Sequence, residues 1–313
     1  MNSLGNLSSG SERVGYFPSM NLWVFAYSMF ITEGLFIVVT NLLVVLTFSI
    51  NSHMRKPSFY FIINLAVADL LAGSVVNPMF GEVIRKLMCC QDYIHTKFQT
   101  GGGLKNLYPV LAFIIIMSAS FYSFVFIAVE RMYATVWPLR HRNTDPRMYT
   151  VFISITWVTG FVFALLAYLD YPLSIQIVMP LGVVSFLILV ASYAIIFIKV
   201  KRQHQLHNQS DLQRTIQKER ELAKTLLLVT VTSMATWLPL IAAGFVIVAS
   251  GSLGYIEQGL AFSFCGLNSL CNPVIYFFRM REYRKAVKQL VCKCSRDTRV
   301  RPAMGNMAVN VRD

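Results

Sequence analysis

Seven stretches of this chain are long and apolar enough to cross a bilayer, and they constrain the fold more than any single motif does. They cover approximately residues 23–50, 57–86, 104–136, 148–170, 174–200, 222–249 and 255–278. About 20 apolar residues in a helix span a hydrocarbon core of roughly 30 Å. No water completes backbone hydrogen bonds inside that core, so each stretch is expected to be a helix. Several exceed the minimum length, which predicts tilt or kinks. The chain has 313 residues, 55% of them hydrophobic and only 14% charged. Soluble domains carry roughly 25% charged residues. The expected architecture is an all-α membrane protein, a seven-transmembrane helix bundle with a short amphipathic eighth helix. Residues 1–22 form an extracellular amino terminus, 23–278 the membrane domain, and 279–313 the amphipathic helix and cytoplasmic tail.

A net charge of +13 could suggest a nucleic-acid binder, but the placement of charge argues against nucleic acid as a partner. All but five of the 28 lysines and arginines lie in segments 51–56, 131–147, 199–224 and 279–312. The five are Arg13, Arg85, Lys86, Lys97 and Lys105, all on the other side of a seven-span arrangement. Lys and Arg accumulate on the cytoplasmic side. The amino terminus is therefore expected outside, in a multi-pass plasma-membrane protein. Asn6-Leu7-Ser8 then makes Asn6 a candidate N-glycosylation site. The second outer loop is short, with Asp170-Tyr171-Pro172-Leu173 nearly all that separates spans four and five.

Polar residues inside the spans point to function. Asp69 lies mid-span, where an acid costs roughly 2.5–3.5 kcal/mol on insertion scales. Partners at suitable depth are Asn41, Ser120, Trp237, Asn268, Ser269 and Asn272. Asn268, Asn272 and Tyr276 recur every four residues and so share one helix face. Such a cluster is either a hydrated core holding an allosteric Na+ at Asp69 or a structural hydrogen-bond network. No other cofactor is expected. Asn272-Pro273 places a polar group beside a helix-breaking proline, and Trp237-Leu238-Pro239 repeats that device with an indole. Glu130-Arg131 closes span three, either as an interfacial charge pair or as a latch with Glu219 at the base of span six. Phe113 precedes Arg131 by five turns, on the same face about 27 Å away.

Together these residues resemble the class A, rhodopsin-like G-protein-coupled receptors, across all seven spans and the following helix. The resemblance rests on Asn41, Leu65-Ala66-Val67-Ala68-Asp69, Glu130-Arg131-Met132, Pro138-Leu139, Trp157, Tyr193, Trp237-Leu238-Pro239 and Asn272-Pro273-Val274-Ile275-Tyr276. Within the class, Pro57-Ser58-Phe59-Tyr60-Phe61 and the Tyr276–Arg284 segment look like the melanocortin and adenosine receptor cluster, with lysophospholipid receptors nearby. The resemblance implies a receptor that passes an extracellular ligand signal to a heterotrimeric G protein, with arrestin as a second cytoplasmic partner. Glu130, Arg131, Tyr193, Glu219, Trp237, Pro239, Pro273 and Tyr276 would form its activation switch. Span six would swing about Pro239 and release an Arg131–Glu219 contact.

The chain also departs from the family pattern. Asn106 stands where a cysteine usually bridges span three to the second outer loop, so that disulfide is absent. Met132, Ser185 and Ser233 replace usual tyrosine, proline and phenylalanine positions. Phe113 stands where amine receptors need an aspartate, Gly266 where opsins need a lysine, and Gly244 where adenosine receptors need an asparagine. An apolar pocket of Met79, Phe113, Met117, Trp237, Leu240 and Phe262 remains, suited to a small apolar or lipid-like ligand; a peptide held by the outer loops is the alternative. Residues 279–291 read as a basic amphipathic helix on anionic membrane lipids, with Cys292 and Cys294 as candidate palmitoylation sites. The rival readings are a transporter or channel and a non-signalling interaction partner or decoy. No nucleophile–base pair, metal-ligand spacing or phosphate loop suggests an enzyme.

Overall fold

The computed structural model describes residues 20–51, 59–82, 108–203, 221, 224–225, 227–239, 241–243, 246 and 255–297. Six helices among them are long and apolar enough to span a membrane: Tyr27–Ile50, Tyr60–Glu82, Val110–Val136, Pro146–Leu169, Gln176–Lys199 and Leu260–Arg279. A shorter apolar helix, Leu227–Ala243, lies where the sixth of the seven expected spans falls. We number these spans one to seven in chain order. A further helix, Arg281–Asp297, follows span seven after a break at Met280.

Burial is inverted relative to a soluble protein, as the bilayer requires. Phe36, Val39, Val158, Phe161, Phe197 and Phe278 point outward, while Asn41, Asp69, Ser120, Arg131, Asn268 and Asn272 are buried. Lipid is as apolar as leucine, so helices associate through close packing and interhelical polar contacts. Gly34 of span one and Gly73 of span two meet backbone to backbone. A Cβ on Gly34 would come within 2.6 Å of the Gly73 carbonyl oxygen. Gly160 of span four lies equally tight on span three, where a Cβ would sit 2.8 Å from the Ile115 carbonyl oxygen. Span three packs against spans two, four and five, and span one against two and seven.

Local chemistry explains the irregular points. Residues Ala72–Val76 of span two form a π turn, and the Asn77 N–H donates to the Ala72 carbonyl. Pro78 follows directly. Its ring would crowd the carbonyl four residues back in a regular helix, and the wider turn relieves that clash. The second outer connection is shorter than the four residues expected. Helix Pro146–Leu169 gives way to Tyr171–Gln203 across Asp170 alone. Asp170 caps both: its N–H donates to Leu166 O at 2.8 Å, and its Oδ1 accepts from Leu173 N at 3.0 Å. An aspartate N-cap with proline in the first turn starts a helix without further loop.

Two apolar clusters lie at different levels. The larger surrounds Phe48, Phe61, Leu65, Phe124, Tyr149, Tyr193, Val229 and Tyr276, and takes in Tyr283, Ala286 and Val287 of the last helix. Tyr283 stacks on Phe48 at 5.6 Å, and burial pushes its phenol up to about 12, so the neutral form packs there. Arg281, Glu282, Lys285 and Lys288 occupy the exposed face of the same helix. The smaller cluster joins Ala72, Val76, Ile116, Met117 and Cys265, flanked by Phe80, Phe113 and Trp237.

Candidate functional site

At the centre of the bundle, Asp69 gathers three helices. Ser269 Oγ donates to its Oδ1 at 2.8 Å, Asn272 Nδ2 to its Oδ2 at 2.7 Å, and Ser120 Oγ to Oδ1 at 3.4 Å. Asp69 is wholly buried. Hydrogen bonds to a charged acceptor contribute about 1.5–3 kcal/mol each in soluble proteins, enough in sum to offset the insertion cost of the acid. Asn41 joins indirectly, donating from Nδ2 to the Ser269 carbonyl at 3.0 Å. Asn41 Oδ1 and Asn272 Oδ1 are buried without a hydrogen-bond partner. The carboxylate and the two hydroxyls are oxygen groups of the kind hard cations take.

Two expected partners turn elsewhere. Asn268 accepts from Thr236 Oγ1 of span six at 3.4 Å rather than meeting Asp69. Four-residue spacing puts Asn268 and Asn272 on one stripe, but one turn of rise places the former nearer span six. Trp237 packs near Phe121, ring centroids 6.2 Å apart, and its Nε1 is buried without a partner. Bulk carries the indole into the apolar cluster. Pro273 lies inside the span-seven helix, and Pro239 inside span six.

Toward the Arg131 end, Arg131 is 2% exposed and held by its neighbour. Its Nε pairs with Glu130 Oε2, and its Nη2 donates to Glu130 Oε1 at 2.7 Å. Glu130 also takes His141 Nε2 at 2.7 Å and the Tyr149 hydroxyl at 3.5 Å. His141 sits on the short helix Pro138–Arg142, which folds back because Pro138 starts it immediately after Trp137. Breaking a buried pair of this kind costs about 3–5 kcal/mol. Glu219 lies outside the described residues, so the expected latch has no geometry here. Glu221, two residues on, lies 4.0 Å from Arg279 of span seven and 3.1 Å from Lys224. Tyr193 shares a hydrogen bond with Thr230 at 2.8 Å, linking spans five and six. The buried Tyr276 hydroxyl has no partner, and its ring meets Tyr283 edge-on at 6.4 Å.

At the other end, Phe80, Phe113 and Phe262 close over one another. Phe80 and Phe262 stack at 3.9 Å, and Phe113 meets both edge-on at 5.3 and 5.8 Å. The cavity left among them, Met117, Val76, Asn77, Cys265 and Gly266 has about 10 Å³ of free volume. Met79, expected in this wall, does not line it; Phe80 does. Counting 3.6 residues per turn goes out of step across the π turn. Leu240 and Asn6 lie outside the described residues, as do the side chains of Cys292 and Cys294.

Several polar residues escaped the sequence reading. Asn64 clamps three spans: it accepts from Trp157 Nε1 at 2.9 Å and donates to Ser123 Oγ at 2.8 Å. Glu33 is a second intramembrane acid, receiving Asn77 Nδ2 at 3.2 Å on Oε2. An acid in the apolar run Phe30–Ile37 was the available signal. The His141–Glu130 contact had none, because loop direction sets it.

A one-per-span series of buried polar residues, wired through Asp69 at the centre and Arg131 at one end, defines a heptahelical receptor. The model of the "7 transmembrane receptor (rhodopsin family)" matches residues 40–276, and the chain belongs to that family. It is 26% identical over 291 residues to trace amine-associated receptor 5 of Rattus norvegicus, covering 82% of this chain and 81% of the relative. It is 23% identical over 301 residues to adenosine receptor A3 of Bos taurus, covering 85% and 89%. The protein is therefore a multi-pass membrane receptor and not an enzyme.

Proposed function

We propose that this receptor activates a heterotrimeric G protein through a shift between two packings of span six, driven by an extracellular ligand. The observation that carries the reading is Arg131, buried at 2% exposure, with His141 and Tyr149 gathered around the same Glu130 carboxylate that holds it. The Glu130–Arg131 pair lies within span three, and the Glu130 contacts with His141 and Tyr149 tie it to the following short helix and to span four; releasing them frees Arg131 to meet a cytoplasmic partner. A ligand acts by preferring one packing. Arg131→Ala is expected to abolish reporter activation across a G-protein panel at unchanged surface level. Normal signalling by that variant would overturn the proposal. Glu219→Ala is expected to raise basal activity if Glu219 is a second partner of Arg131. A flat wild-type response under every condition would favour a non-signalling decoy.

Two relatives in the comparison are named for trace amines and adenosine. Among the described residues that line the inner cavity there is no acid, and Phe80, Phe113, Met117 and Phe262 favour a small apolar or lipid-like ligand that parts the aromatic rings. Asp69, Ser120 and Ser269 are the residues that would hold Na+, with Asn41 and Asn272 offering unpaired oxygens; bound there, the ion would supply only charge compensation. Sodium-dependent thermal stabilisation, lost in Asp69→Asn, would support that assignment. The basic face of helix Arg281–Asp297 suits an anionic lipid surface, and Cys292 and Cys294 suit acylation there. Together with the Lys/Arg asymmetry, this orients the amino terminus outward, where Asn6 can be glycosylated. Arrestin would use the same cytoplasmic face as the G protein.

A further inference from the structure

Spans one and seven leave a groove of about 350 Å³ between them on the bundle's flank, separate from the aromatic cavity in its interior. Ser28, Met29, Thr32, Glu33 and Phe36 form one wall, and Ser263, Leu267 and Leu270 the other. That volume falls within the range of small-molecule pockets, which pair apolar walls with few polar groups. Phe36 and Leu267 belong to the bilayer-facing surface, so the groove is reached from the membrane.

Among the described residues of its lining the charged one is Glu33, and it is incompletely matched. Glu33 Oε2 accepts from Asn77 Nδ2, whereas Glu33 Oε1 is buried and has no hydrogen-bond partner. Among the described residues, no Lys, Arg or His lines the groove. The carboxylate lies against bare backbone: a Cβ on Gly266 would come within 2.6 Å of Oε1. The acid is thus accommodated sterically on span seven without being neutralised. Oε1 is shut off against Gly266, so a ligand in the groove meets the acid as a carboxyl group with no cation beside it, to which an ammonium supplies both charge and donors. The hydroxyls of Thr32 and Ser263 in the same walls can accept from the remaining ammonium hydrogens. An inorganic cation would lose its hydration among apolar walls, and a peptide would not fit between two helices.

We propose that the groove between spans one and seven binds a small lipophilic amine from the bilayer, its ammonium on Glu33 and its apolar chain along Met29, Phe36, Leu267 and Leu270. The groove opens on the flank, although Asn77 and Gly266, which hold Glu33, also line the aromatic cavity; it plays no part in the coupling mechanism, so its test needs no G protein. The full-length receptor in lipid nanodiscs is photolabelled with an alkylamine bearing a diazirine, and the labelled residues are mapped by mass spectrometry. An alcohol of the same skeleton is the uncharged control probe. Labelling by the amine is expected on spans one and seven, competed by n-octylamine and not by 1-octanol. Glu33→Gln, which keeps the shape and the Asn77 contact, should cut it at least about tenfold. Leu267→Trp, which fills the groove and leaves Glu33 in place, should do likewise. Thermal unfolding of both variants checks that the fold persists. Equal labelling by the alcohol, indifference to Glu33→Gln, or labels confined to the Phe113 cavity would each overturn the proposal.

Discussion

The Arg131 end and the Phe113 end of this bundle solve the same problem differently. Toward Arg131, the side chains of Glu130, His141, Tyr149, Tyr193 and Thr230 are tied into contacts crossing several helices, with the Tyr276 hydroxyl left unpartnered, and a large aromatic cluster surrounds them. Glu130 alone has contacts to Arg131, His141 and Tyr149. Toward Phe113, three rings close over a cavity of about 10 Å³, while Glu33 nearby keeps one oxygen unpartnered. Satisfied networks hold one arrangement firmly, because each buried group loses its partners on moving. Apolar stacking is less directional and lets rings part. The contrast suits a device whose trigger must be easy to disturb and whose output must be all or none.

Substitutions can break that contrast. Asp69→Ala strands the donors of Ser269 and Asn272 and is expected to cost about 3 kcal/mol, the largest effect, read from thermal unfolding in detergent. Phe262→Ala removes one ring of the upper triad and is expected to cost less, about 2 kcal/mol, while enlarging the cavity for apolar probes. If Phe262→Ala proves costlier than Asp69→Ala, the upper end is the more rigid one and the comparison is reversed. Trp157→Phe keeps the packing but takes the donor from Asn64, for about 1 kcal/mol. Glu221→Ala comes last: its contacts with Lys224 and Arg279 are exposed, so stability should change by less than about 1 kcal/mol. A marked rise in basal signalling from Glu221→Ala would instead make the span six–seven contact part of the switch.

The Asp69 cluster was largely legible, since an acid in hydrocarbon announces itself and Ser269 and Asn272 stand one turn apart. Asn268 meets Thr236, since a shared stripe says nothing of which neighbour each turn meets. Phe80 rather than Met79 lines the aromatic cavity because the π turn before Pro78 is a backbone event that regular counting passes over. Asn64 was passed over because an amide in a span needs a partner, and Trp157 lies 93 residues away. Glu33 is the instructive case. Its presence in an apolar run was visible, yet its meaning depends on Gly266 and Asn77, which approach it from two other helices.

By itself the sequence determined the bundle of apolar helices, the receptor family and the burial of Asp69 and Arg131, because hydrocarbon demands internally bonded backbone and penalises unplaced charge. Only the tertiary structure decided which polar group meets which: Asn268 with Thr236, Glu130 with His141, Glu33 with Asn77. Those pairings depend on the rotation and shift of one helix against its neighbour, set by contacts as close as Gly34 on Gly73, and no periodicity within a single helix encodes them.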